Sequence, residues 1–297
     1  MAADVVNILV LTAIYGIYAS GFTLVFGLFD VLNLAHASVF ATGALTTVFV
    51  TNALGAGILV GGLVGIVVSV LIAVAVERAA FRPLRYRDSS AWGAHMGPMI
   101  TSLGAASILS GVQAVVFGVD PLHFTAGQPL KGSFSVLGAR IQYSDILSIV
   151  VLVLVFALLL WGINRTKWGT EIRGVALAAR TMPLLGINVE RRIIETFALA
   201  GALGGLAGVM WVLQFNDASV ATSSQVDIRG FAIIVLGGMG SIPGALIGAA
   251  ILAASEVLSV GWLPSGWQSL TVYIVLIAVL VLRPGGILGK ARDPRSA

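Results

Sequence analysis

The chain has no cysteine, three histidines and only 10% charged residues over its 297 positions. Without cysteine there is no disulfide, no zinc–thiolate centre and no thiol nucleophile. His36, His95 and His123 stand far apart in the sequence, with no Asp or Glu at metal-ligand or acid–base spacing. That argues against an enzyme embedded in the membrane, and no cofactor or metal is expected. The shortage of charge excludes more. An ordinary soluble domain is about 25% charged and about 45–50% apolar, whereas 58% of this chain is apolar. Its 17 basic and 13 acidic side chains cannot coat a water-soluble globule of this size, and a net charge of +4 is too slight to indicate nucleic acid. The composition is that of an integral membrane protein.

The abundant feature is the long uncharged run. Roughly 20 apolar residues cross a hydrocarbon core of about 30 Å as a helix. Such runs occupy Val5–Phe29, Val31–Val76 (room for two), Met96–Val119, Ile146–Ile163 and Thr196–Phe215. Shorter ones cover Gly230–Leu236, Ala245–Val260 and Gln268–Leu282. The first lacks the basic start and small-residue cleavage pattern of a signal peptide, and reads as a span. Fourteen of the 17 Lys and Arg fall in three islands: Arg78 to Arg87, Arg165 to Arg192, and Arg283 to Arg295. Cytoplasmic loops carry such an excess, which places the islands inside, loops 120–145 and 216–229 outside, the amino terminus outside and the carboxyl terminus in the cytoplasm. The expectation is an all-α polytopic bundle of eight or nine spans forming one transmembrane domain over residues 1–297. A broken or re-entrant segment is expected near 230–245, because Gly230–Ile242 is too short to cross.

Glycine is also abundant, at 36 residues. Many recur four apart: Gly57, Gly61 and Gly65; Gly201 and Gly205; Gly204 and Gly208; Gly240, Gly244 and Gly248. Small residues at this spacing let helix backbones approach closely where lipid supplies no hydrophobic push. Packing is the simplest role for them.

Of the loops placed in the cytoplasm, only 164–195 is long enough to hold structure. Residues 170–181 have the periodicity of a short helix, with Ile172, Val175, Ala176 and Ala179 on one face. Pro183 is read as its stop, Gly186 as a left-handed reversal and Asn188 as the cap of the next span. Such an element can rest on lipid headgroups, or serve as a stiff lever for a soluble partner. The residues 283–297 form a short basic tail.

Polar residues inside apolar runs are costly and are functional hypotheses. Asp30, Asn33 and His36 step by three and share a helix face if the segment is helical. They cap a helix break or belong to a translocation path or gate. Gly237, Gly238, Gly240, Ser241, Pro243 and Gly244 cannot continue a regular helix, and irregular backbone persists at membrane depth only against protein or a water-filled cavity. Glu256 reads as a partner for a neighbouring helix or a group that receives substrate. Trp161, Trp168, Trp262 and Trp267 fit interfacial anchors.

The run Gly169-Thr-Glu-Ile-Arg-Gly-Val-Ala176, with Leu184-Leu-Gly-Ile-Asn-Val189 and Phe197-Ala-Leu-Ala-Gly-Ala-Leu203 after it, resembles the LivH-type permeases of branched-chain amino-acid ABC transporters. Asn33-Leu-Ala-His36, Phe81-Arg-Pro-Leu-Arg85, Leu236-Gly-Gly-Met-Gly-Ser-Ile-Pro-Gly-Ala245 and Leu282-Arg-Pro-Gly-Gly-Ile-Leu-Gly289 agree in the same order. The resemblance implies a multi-pass subunit of the bacterial inner membrane that does not itself hydrolyse ATP. Its partners would be a second related permease, two cytoplasmic ABC ATPase subunits and a periplasmic substrate-binding protein. It makes 170–188 the ATPase-coupling element, with Gly169, Glu171, Arg173, Arg180, Gly186 and Asn188 as its residues. The translocation path or gate would draw on Asn33, His36, Gly237, Gly238, Gly240, Ser241, Pro243 and Glu256. The solute is left open among branched-chain amino acids, urea, short amides and aromatic acids. An ion- or proton-coupled carrier working alone is the competing reading, since such carriers also use broken helices.

Overall fold

The computed structural model describes residues 2–55, 57–85, 91–125, 130, 132–136, 139–260, 268–283 and 285–289. The chain runs through α1 (Ala2–Phe29), α2 (His36–Leu54), α3 (Ile58–Val76), a π-helical turn (Glu77–Phe81), α4 (Arg82–Arg85) and α5 (Ala91–Phe117). A hairpin of β1 (Ser133–Val136) and β2 (Ala139–Gln142) precedes α6 (Tyr143–Arg165) and α7 (Lys167–Ala178). A 3₁₀ turn (Met182–Leu185), α8 (Val189–Phe215), α9 (Thr222–Gly237), α10 (Ile242–Ser259) and α11 (Gln268–Leu282) complete it. Among the described residues seven helices are long and apolar enough to cross a membrane; α9 and α11, at 16 and 15 residues, are shorter.

Burial sorts these helices into a core and a jacket. In the most apolar stretches 83% of α1 and 78% of α8 is buried, against 11% of α5 and 22% of α6. The outer helices turn Leu63, Val67, Ile108, Val115, Val153 and Leu158 outward, as a lipid-facing surface requires. The glycine stripes sit where the core helices meet. A Cβ on Gly208 would lie 2.4 Å from the Phe40 carbonyl oxygen, one on Gly43 2.7 Å from the Gly205 Cα, and one on Gly65 2.4 Å from Thr47 Oγ1. Backbones of α2, α3 and α8 therefore touch almost directly. Gly57, at the start of its stripe, has open space around it and does not pack.

Contacts between helix ends define two faces. On one, Val25, Phe81, Val175, Ile193 and Phe197 form a single apolar cluster, Arg82 pairs with Glu190 at 2.5 Å, and residues 285–289 lie against the α9–α10 turn. On the other, residue 122 bridges residue 218, Asn52 donates to the His123 carbonyl at 2.8 Å, and the rings of Phe49 and Phe117 meet at 5.6 Å. The described members of all three basic islands lie at the first, basic face. Residues 290–297, Arg87, Trp262 and Trp267 lie outside the described residues, as does the side chain of His95.

Four expectations need correction. Helix α9 starts at Thr222, eight residues before the expected Gly230, so residues 222–229 are helix and not outer loop. At 1.5 Å per residue its 16 residues span about 24 Å, and the irregular backbone is confined to the turn before α10, inside which Pro243 and Gly244 lie. Asp30, Asn33 and His36 share no helix face: α1 stops at Phe29, Asp30 is left-handed (φ 52°) and His36 opens α2. Pro183 does not end the loop helix, which finishes at Ala178; it starts the following 3₁₀ turn. The hairpin of β1 and β2 lies in what had read as loop.

Candidate functional site

The segment between α6 and α8 is built to be stiff. Thr166 caps α7 by accepting from Gly169 N at 3.2 Å. Gly169 allows α7 to fold back onto α6, since a Cβ there would lie 2.2 Å from the Ile163 carbonyl oxygen. Two links tie α7 to the start of α8. Arg192 donates to Glu171 at 2.5 Å, and Trp168 Nε1 donates to Glu195 at 2.9 Å. Gly186 is left-handed (φ 75°), and Asn188 caps α8 by accepting from Arg191 N at 3.0 Å. The periodic face is half right: Ile172 and Val175 are buried, while Ala176 and Ala179 are exposed.

The coupling residues read from sequence thus divide by task. Gly169, Glu171, Gly186 and Asn188 shape the element. Arg173 is spent internally, donating to the Ile163 carbonyl and to Thr170 Oγ1. Arg180 is exposed at the tip. Sequence reasoning missed the apolar tip: Leu177, Leu184 and Leu185 are 88%, 84% and 69% exposed. Large apolar side chains left bare on a charged face are candidates for contact with a protein partner.

The residues assigned to a path lie in three separate places. Asn33 closes the break after α1, its side chain accepting from Ala35 N at 3.2 Å and its carbonyl from His36 N at 3.1 Å. His36 is buried deep in the core. Its Nε2 lies 3.2 Å from the Tyr18 carbonyl, its ring stacks on Tyr18 and Phe22, and Gly21 and Gly204 leave the space it fills. Replacing His36 with alanine is expected to destabilise the protein by about 2–5 kcal/mol through the cavity left behind. A thermal unfolding midpoint of purified H36A equal to wild type would contradict that packing role.

The glycine turn is filled by the chain's own end. Gly238 (φ 100°) and Gly240 (φ 83°) take conformations that side chains resist. The Ile287 and Leu288 amides donate to the Leu236 and Gly237 carbonyls at 2.9 and 3.0 Å. A Cβ on Gly238 would lie 2.3 Å from Gly289 N. Ser241 caps α10, accepting from Gly244 N at 3.1 Å, with Pro243 in the first turn.

Glu256 belongs to a third cluster toward the opposite face. Arg229 Nε of α9 donates to Glu256 Oε1 of α10 at 2.7 Å, and the Tyr15 hydroxyl of α1 donates to Oε2 at 2.8 Å. The side chains of Arg229 and Glu256 are only 18% and 11% exposed. Arg229 was misread because polar Asp227 and Arg229 made this stretch look like loop. Its distance of 27 positions from Glu256 gave no helical signal. Two clefts open nearby. One, of about 290 Å³, lies between Asp4 and Asn7 of α1, Gln214 of α8 and Val257 of α10. The other, of about 200 Å³, adjoins Arg229 between α9 and α11.

A bundle of long apolar helices with a braced loop at its basic face has the organisation of a multi-pass membrane protein. Comparison with known proteins is specific on this point. Residues 5–280 match the family described as branched-chain amino acid transport system, permease component, and the chain belongs to that family. It is 30% identical over 300 residues to the high-affinity branched-chain amino acid transport system permease protein BraD of Pseudomonas aeruginosa, covering 97% of this chain and 95% of the relative. It is 28% identical over 295 residues to LivH of Escherichia coli, covering 96% and 94%. Among solved structures it is similar to PsaBC from Streptococcus pneumoniae in complex with Fab, with a TM-score of 0.50 and 12% identity over 94% of this chain and 91% of that one. That last likeness concerns the fold alone. As a member of this family the chain is a multi-pass membrane permease of the ABC-importer type, which as a class works with ATPase and substrate-binding components.

Proposed function

We propose that the chain translocates a branched-chain amino acid, or a closely related small zwitterion, inward across the bacterial inner membrane. A second, related permease completes the pathway. One of two cytoplasmic ATPases seats the loop 164–195, and a periplasmic binding protein delivers the solute to the opposite face. In this arrangement the basic face is cytoplasmic and the amino terminus is outside, as the clustering of Lys and Arg favours. Family membership across residues 5–280 carries the reading, and the relatives' names supply the solute. The braced loop supports the ATPase partnership. With Glu171–Arg192 and Trp168–Glu195 tying α7 to α8, a displacement of the leucine tip passes into the buried α8 without being absorbed. The chain's own part is positional: it offers alternating access, and ATP hydrolysis takes place on the partners.

The test is purification in mild detergent followed by reconstitution with the copurifying subunits. ATP-dependent accumulation of radiolabelled leucine, dependent on an added binding protein, is the expected result. Ion-gradient-driven uptake by this chain alone in liposomes would establish a self-sufficient carrier instead.

A further inference from the structure

We infer that Arg229 and the cleft beside it form a subsite for the α-carboxylate of the transported zwitterion, an inference that rests on the amino-acid reading above. A guanidinium in a membrane-spanning bundle is costly and is retained where it has work to do. Two of its nitrogens are accounted for: Nε binds Glu256 at 2.7 Å and Nη1 binds the Gln225 carbonyl at 2.8 Å. The Tyr15 hydroxyl, bound to the same carboxylate, also lies beside the guanidinium; Nη2 makes no hydrogen bond of ordinary length among the described residues, and the Arg229 side chain borders the cleft of about 200 Å³. Guanidinium edges bind carboxylates through short, charge-assisted hydrogen bonds. The cleft is smaller than the roughly 300–1,000 Å³ typical of drug-sized ligands, which suits a small solute.

The remaining walls fit the same solute. Ile228 and Val272 supply apolar surface for a branched side chain, and Tyr273 flanks them. Ser224 and Gln225 supply oxygen acceptors for an ammonium group. Both are exposed on α9, on a helix whose neighbours in the bundle face lipid with leucine and valine. Charge completes the match. Arg229 with Glu256 is neutral as a pair, and so is an amino acid at pH 7; a zwitterion enters without adding net charge to the membrane interior.

The absence of native cysteine makes a labelling test clean. Ala221→Cys places a thiol one turn outside Gln225, in the assembled transporter held in phosphatidylcholine nanodiscs. A hydrophilic thiol reagent is applied with leucine, with isopentylamine (the same side chain without a carboxylate), or with neither. Leucine is expected to slow labelling and isopentylamine to leave it unchanged. Adding Arg229→Gln together with Glu256→Gln, which keeps the pair neutral, is expected to raise the leucine concentration needed for protection by about tenfold or more, the worth of a charge-assisted hydrogen bond. Arg229→Lys, which keeps the charge and loses the fork, is expected to fall between. Equal labelling in all three conditions overturns the subsite, as does equal protection by isopentylamine or protection indifferent to the Arg229 substitutions. Slowing by added phosphatidylglycerol with no effect of leucine overturns it too, and assigns the arginine to lipid phosphate. Leucine uptake by the same Ala221→Cys complex separates the two levels: uptake without protection removes the subsite alone, while no amino-acid uptake by the wild-type complex removes the functional reading beneath it.

Discussion

Leu184→Asp combined with Leu177→Asp is expected to reduce ATP-driven uptake to background while the protein still inserts and folds. Both side chains lie more than four-fifths exposed, and substitutions at such surface sites usually change stability by no more than about 0.5 kcal/mol. In the assembled transporter the same side chains would be enclosed by an ATPase groove. An aspartate buried there without a partner would cost several kcal/mol, roughly a hundredfold or more in association. The measurement has two parts: ATPase subunits retained on an affinity column, and uptake in proteoliposomes. Loss of both with an unchanged elution profile of the permease supports docking through the leucine tip. Undiminished uptake would return the loop to a resting place on lipid headgroups. Arg173→Glu is a different experiment, because it removes donors from the Ile163 carbonyl at the end of α6 and disturbs the brace before it reaches any partner.

Gly208→Val carries the other large effect, and here the expected failure is in folding. The nearest atoms to a Cβ at Gly208 are the Phe40 carbonyl oxygen at 2.4 Å and the Ala44 amide nitrogen at 2.9 Å. Both are backbone atoms of α2 and cannot rotate aside. Separating α2 from α8 loosens every close crossing along the pair, including Gly43 against Gly205. Overpacking commonly costs about 1–3 kcal/mol and more where nothing can yield, enough to consume much of a marginal stability. Little monodisperse protein should be recovered. Gly104→Val is the matched control, since no atom lies within 4 Å of a Cβ at that position of α5, and its yield should stay near wild type. Equal recovery of the two variants would contradict the role assigned to the stripe.

The architecture was readable where the physics is local. Membrane crossing depends on run length and charge, so α6 follows from sequence within three residues at each end, while α2 and α3 were legible only as one undivided run from Val31 to Val76 and the start of α8 only through its cap at Asn188. Glycines four apart announced close crossings, and those at 65, 205 and 208 make them; Gly43, which belongs to no such series, packs against Gly205. The cap residues Gly186 and Asn188 were legible because a left-handed turn and an N-cap each need one residue type in one place. What could not be read depends on distant partners. Arg229 looked like a loop residue because it and Asp227 interrupt the apolar run; its ion-pair partner, Glu256, comes from the next helix. The closure of the glycine turn by residues 285–289 joins two motifs about 50 positions apart that each resemble the family separately in sequence. His36 could be read only as a cap or a path residue, yet it packs in the core on Tyr18 and Phe22, partners that precede it in α1 and that no local pattern pairs with it.

The pairing of Arg229 with Glu256 also bears on how the polypeptide is made. Helix α9 leaves the ribosome first, carrying a cation that costs about 2.5–3.5 kcal/mol in the middle of a lone membrane helix. Its counter-charge is synthesised only with α10, after the tight turn at Gly238–Ser241. Release of α9 into lipid is therefore favoured once the two can leave the translocon as one hairpin, already electrically balanced, to be received by the first helix through Tyr15.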